Sequence, residues 1–294
     1  MDVITLGTGS PLPSADRAGP ATLVRAGGQN LLFDAGRGVL LRLAAVGLGL
    51  PALLHQVFLT HLHSDHTTDF GDLVTTNWVT MPVDTPLKVT GPVGTERYAA
   101  LIVASLGADI GYRLAHHPDL TAPPSITITE VSEGLAYEFG DVRVTCAPVH
   151  HFPVDPAIGY RIEAEGKVVV IAGDTRPCDA LDRLCSGADI YVQTVVRADL
   201  VKSVPSPRLQ DVLDYHSNCE EAGETAGRAG VKTLVLTHFV CLLYTSDTHP
   251  LPGPARGHRR SRGLPGVRRV PLHNRSDGDH RRRDVRARRQ PHQR

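Results

Sequence analysis

Val57-Phe58-Leu59-Thr60-His61-Leu62-His63-Ser64-Asp65-His66 begins as a short apolar strand and runs without a break into three imidazoles and a carboxylate. His61 and His63 stand two apart, so in extended chain they point the same way. Asp65 and His66 then face a second position once the chain turns. Neutral imidazole and carboxylate are the donors that zinc takes, and a catalytic zinc keeps one coordination position for water. Three further pieces extend the pattern, each directly after an apolar run. They are His150-His151 after Val142–Val149, Gly173-Asp174-Thr175 after Val168–Ile171, and Thr237-His238 after Leu234-Val235-Leu236. Ends of neighbouring strands converge at one edge of a sheet, so these groups can meet. A carboxylate such as Asp174 suits the bridge between two ions about 3.5–4 Å apart, the two-metal arrangement that hydrolyses esters.

The flanking pattern supplies the frame. Val3–Leu6 predicts a strand that ends in the tight turn Gly7-Thr8-Gly9, and Thr22–Arg25 with Asn30–Phe33 predicts a hairpin around Gly27-Gly28. Arg37 to Leu48 has the spacing of an amphipathic helix, and Asp69 to Trp78 and Thr95 to Ser105 read as helices. Leu87–Thr90 and Ile126–Val131 read as strands. Ile158–Ile162 and Val168–Ile171 read as a hairpin turning at Gly166. Ala180–Cys185 and Glu220–Ala229 read as helices, Asp189–Gln193 and Thr233–Thr237 as strands. Strands dominate each half with helices between them, which predicts two sheets face to face with helices outside, an αββα layered fold.

Composition narrows the class. The chain has 294 residues, 41% of them apolar, enough for a sizeable core and unlike a collagen, a coiled coil or a disulfide scaffold. Met1-Asp2-Val3-Ile4-Thr5-Leu6 lacks a basic leader and predicts no secretory signal. No apolar run approaches the roughly 20 residues of a membrane span. Cys146, Cys178, Cys185, Cys219 and Cys241 are odd in number and form no CxxC pair, which favours reduced thiols in a cytoplasmic protein. The formal net charge of zero joins two unlike parts. Residues 1–239 carry 17 Lys+Arg against 27 Asp+Glu, a net of −10, whereas residues 240–294 carry 14 Arg, no Lys and 4 Asp, a net of +10.

The HxHxDH string and its three companions, in this order, resemble the metallo-β-lactamase superfamily, and the resemblance covers nearly all of residues 1–239. It implies that His61, His63 and His151 hold one metal and that Asp65, His66 and His238 hold the other, with Asp174 between them. The choice of His151 over His150 rests on the family's Val-x-His followed by Gly-Tyr-Arg, here Gly159-Tyr160-Arg161. Leu6-Gly7-Thr8-Gly9-Ser10-Pro11, Gly159-Tyr160-Arg161 and His216-Ser217 ahead of a Glu-rich helix are similar to ribonuclease Z and its arylsulfatase-like relatives. That branch implies a binuclear zinc hydrolase, with manganese or iron as substitutes, in which metal-bound hydroxide attacks a phosphodiester as in 3′ tRNA processing. Asp65 would orient the water, and His216 would protonate the leaving group, a role a phosphodiesterase needs because the departing alkoxide is very basic. Arg176 and Tyr160 are candidate substrate contacts. Only 22 residues separate His151 from Asp174, room for a hairpin but not for the tRNA-clamping arm that the ribonuclease Z group typically carries there. With the acidic body, this weakens the tRNA reading and suits a small phosphodiester or a sulfate ester, while the leading expectation stays a ribonuclease Z-like phosphodiesterase with sulfate-ester hydrolysis as the alternative. A non-catalytic metal-binding module and an inactive chain are the alternatives of another class. A membrane partner is not expected, and a homodimer is left open.

Several residues have a plainer reading. Ser217 with Glu220 three residues on predicts a capping box that His216 merely precedes. His116-His117 reads as surface loop, His55 as structural, and Asp34 as fixing a turn rather than binding metal. Arg176 suits an ion pair as well as a substrate anion. Asn77, Trp78 and Met81 suit a core helix as well as a substrate mouth. Beyond residue 239 the chain turns to Arg, Pro, Gly and His without periodicity. Cys241-Leu242-Leu243-Tyr244-Thr245-Ser246-Asp247 resembles a translated transposon end, and the rest resembles GC-rich DNA read in an unintended frame. A disordered, artefactual tail without packed contacts is therefore expected for residues 240–294, leaving the hydrolase domain of residues 1–239 short of its final elements. The competing reading is a natural basic tail that binds nucleic acid.

Overall fold

The computed structural model describes residues 1–82, 85–240 and 268–271. The first sheet contains β1 (Asp2–Gly7), β2 (Ala21–Ala26), β3 (Gln29–Phe33), β4 (Gln56–Phe58), β5 (Leu87–Gly91) and β6 (Ile126–Glu130), side by side in that order. The second contains β7 (Gly134–Phe139), β8 (Val142–Pro148), β9 (Ile158–Ala164), β10 (Lys167–Ile171), β11 (Ile190–Val196) and β12 (Thr233–Val240), also in sequence order. Between the strands lie α1 (Val39–Ala45), α2 (Ser64–Thr67), α3 (Phe70–Thr80), α4 (Thr95–Ser105), α5 (Gly107–His116), α6 (Asp179–Cys185), α7 (Ala198–Val201), α8 (Pro207–Gln210) and α9 (Cys219–Arg228).

Successive strand residues face opposite sides, and here both sides of both sheets are covered. Val3, Leu31, Phe33 and Phe58 of the first sheet meet Val144, Ile158, Tyr160, Ile162, Val169, Ile171, Ile190 and Val192 of the second. The alternate residues Ile4, Leu32 and Val57 turn outward onto Val39 and Leu43 of α1, Phe70 and Leu73 of α3 and Ala99 of α4. On the far side Val170 and Tyr191 pack against Leu181 and Leu184 of α6 and Ala226 of α9. The result is the expected four-layer αββα sandwich. Phe33 and Phe58 stack with ring centroids 4.7 Å apart, and Tyr160 meets both edge-on across the seam between the sheets.

Some elements differ from the sequence reading. α5 was not expected, and among its residues only Ile110 is buried. His116 lies in its last turn rather than in a loop. β7 is an edge strand whose only buried residue is Ala136, so its pattern is faint. Most of the Arg-rich segment lies outside the described residues, including Cys241-Leu242-Leu243-Tyr244-Thr245-Ser246-Asp247. Its described residues, Val240 at the end of β12 and 268–271, correct the expectation of a segment without contacts. Arg268–Pro271 forms β13, antiparallel to β1, with Val270 packed against the inter-sheet core. The free edge of β1 offers unpaired backbone groups that an extended segment can satisfy. No helix among the described residues is long and apolar enough to cross a membrane.

Candidate metal centre

Strand direction brings the chemistry together. β8 and β10 are both antiparallel to β9, so they run the same way, and β10, β11 and β12 are parallel. The segments after β8 and β10 and the C-terminal end of β12 therefore share one edge of the second sheet. The segment after β4 is fastened to that edge across the seam. Ile158 N donates to Thr60 O at 2.9 Å, and Tyr160 Oη donates to Leu59 O at 2.8 Å. Gly173 makes the approach possible. Its φ is 68°, and a Cβ there would sit 2.7 Å from the Thr60 Cβ. Gly173→Ala is therefore expected to lose about 1–3 kcal/mol of stability, read as a lower urea midpoint, with Asp174 displaced beside it.

His61, His63, His151 and Asp174 form one group whose donor atoms all lie within 4.8 Å of one another, and Asp65, His66 and His238 form another. His63 Nδ1 is 3.0 Å from His61 Nε2 and 3.2 Å from His151 Nε2, and Asp174 Oδ2 is 3.9 Å from both of those Nε2 atoms. Neighbouring nitrogens around a tetrahedral zinc with 2.0–2.1 Å bonds lie ~3.3 Å apart, so this spacing suits an ion. In the second group His238 Nε2 is 2.8 Å from Asp65 Oδ2, and His66 Nε2 is 3.4 Å from Asp174 Oδ1. His66 Nε2, Asp174 Oδ1 and His238 Nδ1 are buried without a hydrogen-bond partner. Buried polar atoms are almost always paired, so His66 Nε2 and Asp174 Oδ1, 3.4 Å apart, mark where a divalent cation fits, whereas His238 faces the centre through Nε2.

The outer nitrogens explain the ring orientations. His66 Nδ1 donates to Asp34 Oδ2 at 2.8 Å. The Thr60 hydroxyl donates to the Asp34 carboxylate, 3.0 Å from Oδ2, and so accepts from His61 Nδ1, also at 3.0 Å. His151 Nδ1 donates to Tyr215 O at 2.9 Å. Each of these rings carries a proton on its outer Nδ1 and turns Nε2 inward, the usual support for metal-binding histidine.

Electrostatics separate the two groups. Burial, reinforced by the charge of His66, holds His61 well below the usual imidazole range, and burial pushes His151 down to about 4. Burial also lowers His63. These three rings are neutral near pH 7, the form that binds metal. Burial would lower His66 too, but Asp174 and Asp34 outweigh it and hold it well above the usual range. Burial would raise Asp174, and the charges of His238, His66 and His216 outweigh it and hold the carboxyl well below its usual range.

His216 joins the centre, with Nε2 3.0 Å from Asp174 Oδ2. Its capping box is shifted by one residue from the expected one. Asn218 is the N-cap and Glu221 the reciprocal partner, while Ser217 is committed elsewhere, its hydroxyl donating to Thr175 O at 2.7 Å.

Tyr160 does not contact substrate, because it is fully buried between the sheets. Tyr160→Phe is expected to cost about 1–2 kcal/mol with KM unchanged; a raised KM would restore the substrate role. Arg176 does not present a free guanidinium either, since it donates to Leu213 O and Glu221 Oε1, each at 2.9 Å. Trp78 Nε1 donates to Ala122 O and Asn77 Nδ2 to Thr85 O, so α3 uses both to fasten neighbouring chain. His55 is structural, its Nδ1 accepting from Asn30 N.

The residue that sequence reasoning missed is Asp34. It does fix its turn, at φ 63°, but it also orients His66 and, through Thr60, His61. The available clue was a carboxylate directly after the buried run Leu31-Leu32-Phe33. Parallel pairing of Phe33 with Phe58 sets Asp34 beside Thr60.

Residues 29–239 match the family model described as a β-lactamase superfamily domain. The chain belongs to the β-lactamase superfamily. Within the superfamily it falls in the ribonuclease Z group. It is 53% identical over 242 residues to a protein named Ribonuclease Z from Mycobacterium bovis (strain BCG / Pasteur 1173P2), covering 82% of this chain and 86% of the relative. It is 54% identical over 244 residues to the protein of that name from Mycobacterium sp. (strain KMS), covering 82% and 84%. Among solved structures, the short form of human tRNase Z superposes with a TM-score of 0.65 at 24% identity, covering 82% of this chain and 93% of that one. A metallo-β-lactamase fold protein from Bacillus subtilis gives 0.62 at 22%, covering 81% and 86%. At such identities the two structures show the fold alone. Its ribonuclease Z relatives make the chain a metal-dependent hydrolase of ester bonds, and its His/Asp cluster suits a divalent metal. The short span between His151 and Asp174 does not remove it from the ribonuclease Z group.

Proposed function

We propose that this chain is a ribonuclease Z-type endonuclease that hydrolyses a phosphodiester at the 3′ end of precursor tRNA with two zinc ions. The observation that carries this reading is a complete set of seven donors, with His66 Nε2 and Asp174 Oδ1 buried and unpartnered, in a chain 53% identical to a protein named Ribonuclease Z. His61, His63 and His151 would hold one ion and Asp65, His66 and His238 the other, with Asp174 available to both. When bound, the ions supply Lewis-acid stabilisation of phosphoryl charge and lower the pKa of water. Asp65 would orient the attacking water and accept its proton. His216 donates a proton from Nε2 to the leaving oxygen. His216 Nε2 lies within the centre, 3.0 Å from Asp174 Oδ2. The four described cysteines are free, which suits a reducing cytoplasmic setting.

A second reading within the same chemistry rests on the span between His151 and Asp174. It folds into a short loop of residues 152–157 and the β9–β10 hairpin with Glu165-Gly166 at its turn. That favours a small phosphodiester. Sulfate-ester hydrolysis finds no support in the relatives described above. The deciding experiment supplies zinc to the chain and compares precursor tRNA, bis-p-nitrophenyl phosphate and p-nitrophenyl sulfate. Cleavage of the precursor is expected, together with two zinc ions per chain by elemental analysis. Turnover of bis-p-nitrophenyl phosphate with intact tRNA selects the second reading, and turnover of the sulfate alone overturns both.

A further inference from the structure

The turn of residues 211–215 points three main-chain carbonyls at the centre. Val212 O accepts from His216 Nδ1, Leu213 O from Arg176 Nη1 and Tyr215 O from His151 Nδ1, each at 2.9 Å. A carbonyl only accepts. Both imidazoles therefore carry a proton on Nδ1, and each turns Nε2 inward, His151 toward His63 and His216 toward Asp174. One short turn thus sets the ring orientation of two residues with different roles.

The turn has little packing of its own. Neither α8 nor the turn of residues 211–214 contains a buried residue, and Val212 and Leu213 are only partly buried against Val196, Val201 and Val240. Arg176 supplies the side-chain tie. Its Nη1 holds Leu213 O while its Nη2 holds Glu221 Oε1. Glu221 is itself fixed, with Oε2 accepting from Asn218 N and its own N–H donating to Asn218 Oδ1, both at 2.9 Å. The Arg176 main-chain N–H donates to His150 O at 2.8 Å, next to His151. One residue therefore joins the chain bearing His151, the cap of α9 and the turn behind both imidazoles.

We propose that Arg176 is a positioning residue: through Leu213 and Glu221 it holds the turn that orients His151 for metal and His216 for proton donation. The proposal rests on the roles given to those two histidines above. A planar guanidinium directs two donors at fixed angles, whereas an ammonium is a point charge on a flexible stem, so lysine does not replace it.

The test compares Arg176→Met and Arg176→Lys with a control, Arg161→Met. Arg161 also ties main-chain carbonyls, those of Leu184 and Ser186, and pairs with Glu163 on the second sheet. Four quantities are read: kcat, KM, zinc retention against a chelator and the thermal midpoint. Arg176→Met is expected to lower kcat by roughly ten- to a hundredfold on bis-p-nitrophenyl phosphate and precursor tRNA alike, with KM within about twofold. Zinc affinity is expected to fall by about tenfold, in the range seen when a hydrogen-bond partner behind a metal ligand is removed. Arg176→Lys recovers the thermal midpoint but not kcat. Arg161→Met lowers the midpoint and leaves kcat and zinc retention unchanged. A KM increase confined to RNA, with kcat and zinc retention intact, would make Arg176 a substrate contact and overturn the proposal. So would losses in kcat and zinc retention equalled by the Arg161 control. If the unmodified chain cleaves no phosphodiester, the proposed function fails, and zinc retention in Arg176→Met against Arg161→Met still decides the positioning role.

Discussion

Asp174→Ala is expected to lower kcat by roughly 10³-fold or more and to leave the chain unable to retain its full metal complement. The carboxylate is the one group that faces both halves of the centre. It lies 3.4 Å from His66 Nε2, 3.0 Å from His216 Nε2, and 3.9 Å from the Nε2 atoms of His61, His151 and His238. Removing it takes a shared donor and a negative charge from a site where neighbouring histidines hold it ionised. A Lewis acid contributes several kcal/mol to stabilising a transition state, and each 1.36 kcal/mol is a factor of ten. The measurements are single-turnover hydrolysis of bis-p-nitrophenyl phosphate and elemental analysis after gel filtration. A variant that keeps two ions and more than a tenth of the activity would remove Asp174 from its assigned place.

Asp34→Ala is expected to combine a stability loss of about 2–4 kcal/mol with a 10- to 100-fold loss in metal affinity. Asp34 accepts from Thr60 N at 2.8 Å, from the Thr60 hydroxyl and from His66 Nδ1. Alanine leaves the Thr60 N–H and the His66 Nδ1–H buried without acceptors. It must also adopt φ near 63°, a left-handed conformation that Asp and Asn tolerate better than Ala. Asp34→Asn separates the two effects. It accepts the backbone geometry and keeps an acceptor for Thr60 but lacks the charge behind His66, so most of the stability should return while metal affinity stays low. Urea unfolding of the metal-free protein reads the first quantity and chelator competition the second. Unchanged metal retention in both variants would restrict Asp34 to its turn.

These two aspartates also mark what the sequence discloses. Asp174 was legible because its context is local: an apolar strand, a glycine and a carboxylate at a strand end. The same holds for His61, His63, Asp65, His66, His151 and His238, and for most strands whose alternating residues face two covered sides. Asp34 was not legible as a partner of the histidines. Its role depends on β3 lying parallel to β4 in one register, which brings it to Thr60 across 26 positions of chain. Tyr160 was misassigned for a related reason. Its motif lies near the other pieces in sequence, yet its hydroxyl crosses the seam to Leu59, 101 positions away. α5 escaped because it gives the core a single buried residue, Ile110, and β13 because its partner β1 stands at the other end of the chain.

The donors divide between the layers. His61, His63, Asp65 and His66 follow β4 of the first sheet, whereas His151, Asp174 and His238 belong to the second. Neither sheet alone can assemble either half of the centre as proposed, so an occupied centre acts as a clasp across the sandwich. Ions that bind only the docked form stabilise that form, by about 2.7 kcal/mol per site at a free concentration a hundred times the Kd. A chain whose two halves have not closed would present only fragments of each site and surrender zinc to competing ligands in the cell. Metal loading would thus serve as an inspection step in assembly, passing closed chains and leaving open ones empty.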